Sequence, residues 1–396
     1  MSLSTLPLSY CTNVHPARTL DDVLNGLRDY TGAIRDAAGQ PVAAGLWLAR
    51  SVVEECVTSS ASQGSRPGQR VEELRRQLAE LELTCYTLNA FPYGDFHEER
   101  VKDQVYVPDW STPERADYTT DCAAILAALL PDGCDGSLST LPLGFKGHPH
   151  DAEFEGRCID TLLGVADALD SLHDETGRCV RLAIEPEPFC LLETTSETLA
   201  FFRKLYDRAE QAGQGDVVRR HLGVCFDVCH QAVEFEDVAE SIRRLTSTGI
   251  RINKLHITCA LHLATPAEAA LREELAAFVE PRYLHQTLAR TRQGIVVRRV
   301  DLDRDLCKAP PAAFRDAAAW RIHFHVPVHR EHIGGLGTTQ ADLKAALAAV
   351  AALDYAPHLE VETYTWGVLP GERPKSLVEG IAAEMRAVHG WLAELR

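Results

Sequence analysis

The stretch LGVCFDVCHQAVEFED, residues 222–237, opens as an uninterrupted apolar run and changes character at Asp227, with His230 three positions further on. A short run of this kind fits a strand buried on both faces, the hallmark of parallel sheets. A charged group where such a strand stops points to a sheet whose C-terminal edge carries the working side chains. Comparable runs recur on either side: LPLSYCT at 6–12, GLWLA at 45–49, LTCYTLNA at 83–90, LSTLPLG at 138–144 and RLAIEPE at 181–187, then NKLHIT at 253–258, IHFHVPV at 322–328 and LEVETYT at 359–365. Helical periodicity fills the gaps, as in VEELRRQLAELEL, where Val71, Leu74, Leu78 and Leu81 share a face. Ser111-x-x-Glu114 with Pro113, Thr194-x-x-Glu197 and Thr339-x-x-Asp342 resemble capping signals, and a final helix is expected from about Ser376 to Leu395.

Strand and helix therefore alternate from end to end, the pattern of an α/β protein with a helix-covered parallel sheet. Eight such units close a (β/α)8 TIM barrel, expected here as a single domain over residues 1–396. Nine strand-like runs are present, one more than a barrel needs. The surplus run, IHFHVPV, follows the longest interruption of the pattern, so an insertion over residues 261–320, between strands seven and eight, is expected near the barrel mouth, with that run in the same excursion. TSSASQGSRPG at 58–68 reads as a surface loop. The competing architecture is an open doubly wound sheet, but neither GxGxxG nor GxxxxGK[ST] follows the first strand.

Composition narrows the partners. With 57 Asp and Glu against 40 Lys and Arg, the net charge of −17 disfavours a nucleic-acid partner. Twelve cysteines scattered singly through apolar runs do not resemble a disulfide framework and fit a reducing compartment. The first residues lack a basic and apolar leader pattern, and no uncharged apolar run approaches the roughly 18 residues of a membrane span. A cytoplasmic protein is expected.

Four late strands carry carboxylates or an imidazole at their C-terminal ends: Glu185, Asp227, His256 and Glu362. Ionised carboxylates gathered at one mouth repel one another, and a bound divalent cation is the simplest relief. Three oxygen donors and one imidazole suit Mn²⁺, Mg²⁺, Co²⁺ or Zn²⁺. Glu187 shares the face of Glu185, and Glu360 that of Glu362. Glu185 is favoured because it closes the apolar run, leaving Glu187 to contact substrate or support the ligands; Glu362 is favoured because it lies nearer the mouth. Glu360 is expected one layer deeper, paired with Lys254. His230, just past its strand, reaches the same space.

E-P after a fifth strand, D-x-x-H after a sixth, a histidine ending a seventh and a glutamate ending an eighth resemble the xylose-isomerase-like, endonuclease-IV-like TIM barrel superfamily. HREHIGGLG at 329–337 resembles its R-x-x-I/L-G-x-G stretch, with one extra residue before Gly337. Within that superfamily LSYCTNVHP, LNAFPYGDFH, LAIEPEP, FHVPVHREHIGGLG and ETYTWGVLP look like the EboE family of metabolite traffic proteins of secondary metabolism. The resemblance implies Glu185, Asp227, His256 and Glu362 as metal ligands, His230 and Arg330 as substrate contacts, and Glu185 and Glu362 as acid and base. HFHVPVH adds His323, His325 and His329, either hydrogen-bonded rim imidazoles or, for His325 and its neighbours, groups on substrate or on more than one ion. His15 and His97 are further candidates for such a site, and Asn89 and Tyr93 for its wall.

The expected partner is thus a small-molecule metabolite, a sugar, polyol or cyclitol-like compound undergoing metal-dependent isomerisation or epimerisation. The alternatives are a metal-dependent phosphoesterase of the endonuclease-IV-like branch and a non-catalytic metabolite-binding protein.

Overall fold

The eight strands predicted to form the barrel pair in chain order, all parallel, and the last closes on the first. They are Leu8–Cys11, Val42–Trp47, Thr87–Asn89, Gly136–Thr140, Val180–Ile184, Leu222–Asp227, Ile252–Ile257 and His358–Val361. The computed structural model describes residues 3–60, 64–370 and 376–396.

The helices form where the apolar spacing demands. Gln69–Glu80 buries Val71, Leu74 and Leu78 against the barrel, and Thr195–Ala212 starts with a reciprocal capping box between Thr194 and Glu197. Ser376 caps the final helix, Leu377–Glu394. Two expected caps differ. Thr112, not Ser111, precedes Pro113–Leu129, and Ser111 donates its hydroxyl to Asp109 at 2.7 Å instead. Thr339 precedes Gln340–Ala351, but its hydroxyl accepts the Ala260 amide at 2.8 Å, tying the helix start to the loop after strand seven. The stretch read as a loop after strand two is in part a hairpin, Val57–Ser60 paired antiparallel with Gly64–Pro67; residues 61–63 lie outside the described residues.

Between strands seven and eight the chain builds a second, six-stranded antiparallel sheet. Its strands run from Leu261–Leu263 to Leu336–Thr338. The run IHFHVPV is not a strand throughout. Only Ile322 belongs to Ala319–Ile322. His323 keeps one in-register bond, its amide to the Gln286 carbonyl, and beyond it the backbone leaves the ladder: the amide of Val326 bonds Cys259, and Pro327 has no amide to give. This departure lowers His323 and His325 into the barrel mouth.

Below the mouth lies an ionic layer. Lys254 Nζ sits 2.7 Å from Glu360 Oε1, both side chains fully buried, as the shared faces of strands seven and eight anticipate. Glu360 Oε2 accepts from Ser9 Oγ at 3.0 Å. Gly45 makes room: a Cβ there would stand 1.5 Å from Glu360 Oε2. Burial opposes the Glu360 charge, yet Lys254 and His256 hold its carboxyl down to about 2. A lowered carboxylate pKa contributes stability above the ordinary value of 4.5, lost as pH falls through about 2. Replacing Lys254 with Met should therefore cost about 3–5 kcal/mol at neutral pH by urea unfolding, with a deficit that shrinks as pH falls below 4 or so; a loss under about 1 kcal/mol would mean the pair is not buried as described.

Candidate functional site

The parallel registry sets the site. Asp227 is in register with His256 on the neighbouring strand, and His256 with Glu360 on the next. One ligand atom each of Glu185, Asp227, His256 and Glu362 falls within 4.8 Å of the others, all four residues being buried. His256 Nδ1 is the hub, 3.0 Å from Glu185 Oε1, 3.3 Å from Glu362 Oε2 and 3.5 Å from Asp227 Oδ2. Its other nitrogen, Nε2, lies 3.2 Å from Glu360 Oε1. Nε2 donates its proton to Glu360, so Nδ1 is the nitrogen turned to the three carboxylates; without a cation it carries a proton toward Glu185, and a cation bound there would take that proton's place. Such a carboxylate-oriented imidazole is the usual support of a metal-ligating histidine.

Two of the carboxylates are held by one oxygen and left free at the other. Asp227 Oδ1 accepts from Thr258 Oγ1 at 2.7 Å and from the His230 amide at 3.0 Å, while Oδ2, fully buried, has no hydrogen-bond partner. Glu362 Oε1 accepts from Asn13 Nδ2 at 2.8 Å and Asn89 Nδ2 at 3.0 Å, leaving Oε2 toward the hub. Glu185 Oε2 is likewise buried without a partner. Orphaned anionic oxygens in a dry pocket are costly, and a divalent cation is the partner this donor set fits.

The charges respond to the crowding. Burial, with Glu185 and Asp227 nearby, raises the Glu362 carboxyl above its ordinary range, though His256 and His325 pull it down. Asp227 is held below the carboxylate range despite its burial, because His230, His256 and His325 face it. Burial disfavours a charged His256, but Cys225, Glu185 and Glu362 raise it well above an ordinary imidazole. Glu187 is pushed up to about 8, first by burial and then by Glu185, against the hydrogen bonds from Tyr106 and Gln286. Tyr106 donates its hydroxyl to Glu187 Oε1 at 2.7 Å, and Gln286 donates to Tyr106 at 2.9 Å.

Three imidazoles complete the floor. The Nδ1 protons of His230 and His325 go to the carbonyls of Pro186 (3.0 Å) and Glu362 (2.9 Å), and that of His323 goes to Gln286 Oε1 (2.7 Å). Each Nε2 is then a bare lone pair in the neutral ring. His323 Nε2 lies 3.1 Å from His230 Nε2 and 3.2 Å from His325 Nε2, with no proton left to bridge them. Burial lowers all three rings from the usual imidazole range.

Of the residues singled out from the sequence, Glu185, Glu187, His230, His323, His325 and Glu362 line one cavity, as does Asn89, while Asp227 and His256 lie behind that lining, beside Glu185 and Glu362. Five others stand elsewhere. Arg330 is off the cavity wall; its backbone closes a turn to Pro327 and accepts from Thr338. His329 is also outside. His15 bonds Tyr10 and stacks on Tyr30, and His97 bonds the Asn13 carbonyl; Tyr93 packs on Tyr118. Asn13, Thr258 and Tyr106 escaped the sequence reading. The first two stand just past barrel strands, a position that could have flagged them, whereas nothing local marks Tyr106.

No family model matches the sequence, and no curated protein does. Among solved structures the fold is similar to a xylose isomerase-like TIM barrel protein from Mycobacterium smegmatis in complex with magnesium (12% identity, 100% of both chains, TM-score 0.54). It is also similar to L-ribulose 3-epimerase (14% identity, 100% of this chain and 96% of that one, TM-score 0.51) and to the IOLI protein with a binding zinc atom (11%, 99% of each, TM-score 0.50). The likeness establishes the fold. Among the described residues no helix is long and apolar enough to cross a membrane.

The raised Glu362 carboxyl gives a sign test. In metal-free protein its contribution is complete below the ordinary glutamate value and is lost as pH rises through the folded value. Glu362→Gln should thus leave the thermal midpoint at pH 8 unchanged or higher in chelator, while removing most of the several-degree rise expected of the parent protein on adding Mn²⁺. A variant destabilised in chelator that still gains fully from Mn²⁺ would contradict the crowding described.

Proposed function

We propose that the chain is a divalent-metal-dependent isomerase or epimerase acting on a polyol-like metabolite. The observation that carries this is the His256 hub, ringed by three carboxylates of which two have buried, unpartnered oxygens. A bound cation supplies Lewis-acid stabilisation of negative charge developing on two vicinal substrate oxygens. Glu185, Asp227, His256 and Glu362 would hold it. Glu185 and Glu362 come from strands five and eight, so their carboxylates approach the cavity from different walls. One takes a proton from the carbon bearing a hydroxyl, the electron pair moves toward the adjacent carbonyl oxygen, and the other returns a proton to the opposite face of the same carbon or, with the hydroxyl proton passing to the former carbonyl oxygen, to the neighbouring carbon. His230, His325 and Glu187 contact the substrate. Magnesium, zinc and sugar epimerisation in the names of the similar structures agree with this reading. The sequence likeness to EboE, a metabolite traffic family, suggests a substrate from secondary metabolism.

One observation favours a second reading, metal-assisted phosphoester hydrolysis: the three converging Nε2 lone pairs of His230, His323 and His325 are suited to a further ion. Ion count separates the two. Elemental analysis of the purified protein should give one divalent ion per chain, lost in Asp227→Ala, together with metal-dependent deuterium uptake from solvent into ketoses or cyclitols. Two or three ions and no exchange into any of them would turn the assignment to hydrolysis.

A further inference from the structure

The floor of the cavity is anionic and imidazole-rich; the roof is almost bare carbon. Phe91, Phe96, Val101, Val105, Tyr283 and Leu284 form it, contributed by the loop after strand three and by the inserted segment. Phe96 packs on Tyr283, with ring centroids 4.9 Å apart. The two halves of the roof are clasped together: the amides of Val101 and Lys102 both bond the Arg282 carbonyl, at 2.9 and 2.8 Å. The only cationic side chain on the wall among the described residues is Lys102, and it is spent. Its Nζ donates to the carbonyls of Glu280 (3.2 Å) and Tyr283 (2.6 Å) and to Asp301 Oδ2 (2.6 Å), using all three ammonium protons. The hydroxyl of Tyr106 is committed to Glu187 and Gln286.

Resting on the reading of the floor as a metal-dependent site for vicinal oxygens, we infer that the substrate is amphipathic: a vicinal diol or hydroxyketone end on the floor joined to an uncharged apolar or aromatic portion under the roof. A fully hydroxylated sugar would bury most of its remote hydroxyls against carbon: the hydroxyl of Tyr283, buried without a partner, and that of Tyr364, also on the cavity wall, are too few to bond a polyol chain, and burying the rest costs more than leaving them in water. A phosphate or carboxylate at that end would meet no free cation. An apolar ring instead gains from leaving water and from edge and face contacts with Phe96 and Tyr283. The floor selects the reacting carbons, and the roof selects what they are attached to.

Hydroxamates test this without the unknown substrate, because their two vicinal oxygens chelate a metal as a hydroxyketone would. The protein is loaded with Mn²⁺ and titrated with acetohydroxamate, benzohydroxamate and a four-carbon polyhydroxy hydroxamate. Benzohydroxamate should bind about tenfold or more tighter than the polyhydroxy compound. Val105→Asn and Leu284→Asn, both at half-buried positions, should each narrow that ratio while leaving acetohydroxamate affinity unchanged. Equal or tighter binding of the polyhydroxy compound, or a ratio untouched by both variants, overturns the inference while the metal reading stands. Failure of all three to bind, with no Mn²⁺ taken up, overturns the metal reading and the inference with it.

Discussion

Carboxylates cannot be left dry beside one another without a counter-charge, and the closed barrel leaves these nowhere else to go. Strands five, six, seven and eight are held in fixed register by their ladders, so whatever ends them converges. The sequence puts Asp227 and His256 in the last residues of strands six and seven and Glu185 and Glu362 one residue past strands five and eight. Hydrophobic packing of the barrel and its helices keeps the strands closed, and the electrostatic demand of the mouth is the consequence. A cation meets that demand and makes the same groups useful.

The layer beneath explains how the mouth stays ordered. Lys254 neutralises Glu360, Glu360 orients His256, and His256 presents its Nδ1 to the three upper carboxylates. Each link is buried, and Gly45 leaves the space in which Glu360 sits. Thr258, Asn13 and Asn89 fix one oxygen of Asp227 or Glu362 and so aim the other. The protein has thus divided its donors between holding the ligands and leaving room for what they bind.

Much of this was legible in the residues. A strand buried on both faces is a local, redundant signal, so all eight barrel strands and the residues at their ends could be placed. Face-sharing at a two-residue interval was enough to pair Lys254 with Glu360. What failed depended on distant contacts. Thr339 looks like a helix cap, but Ala260, 79 residues away, supplies its actual partner. His323 and His325 look like part of a strand until the chain past His323 is drawn toward Cys259. Arg330 fits a sequence pattern, yet its turn with Pro327 sets it off the cavity wall. Tyr106, from a short helical turn in the loop after strand three, is visible only once Glu187 and Gln286 are seen beside it.

The most direct trial of the central claim is anomalous X-ray diffraction from crystals grown with Mn²⁺. A single strong peak about 2.0–2.3 Å from His256 Nδ1 and from oxygens of Glu185, Asp227 and Glu362 is the expected result. No anomalous density among those four groups in crystals that take up manganese elsewhere would contradict the account.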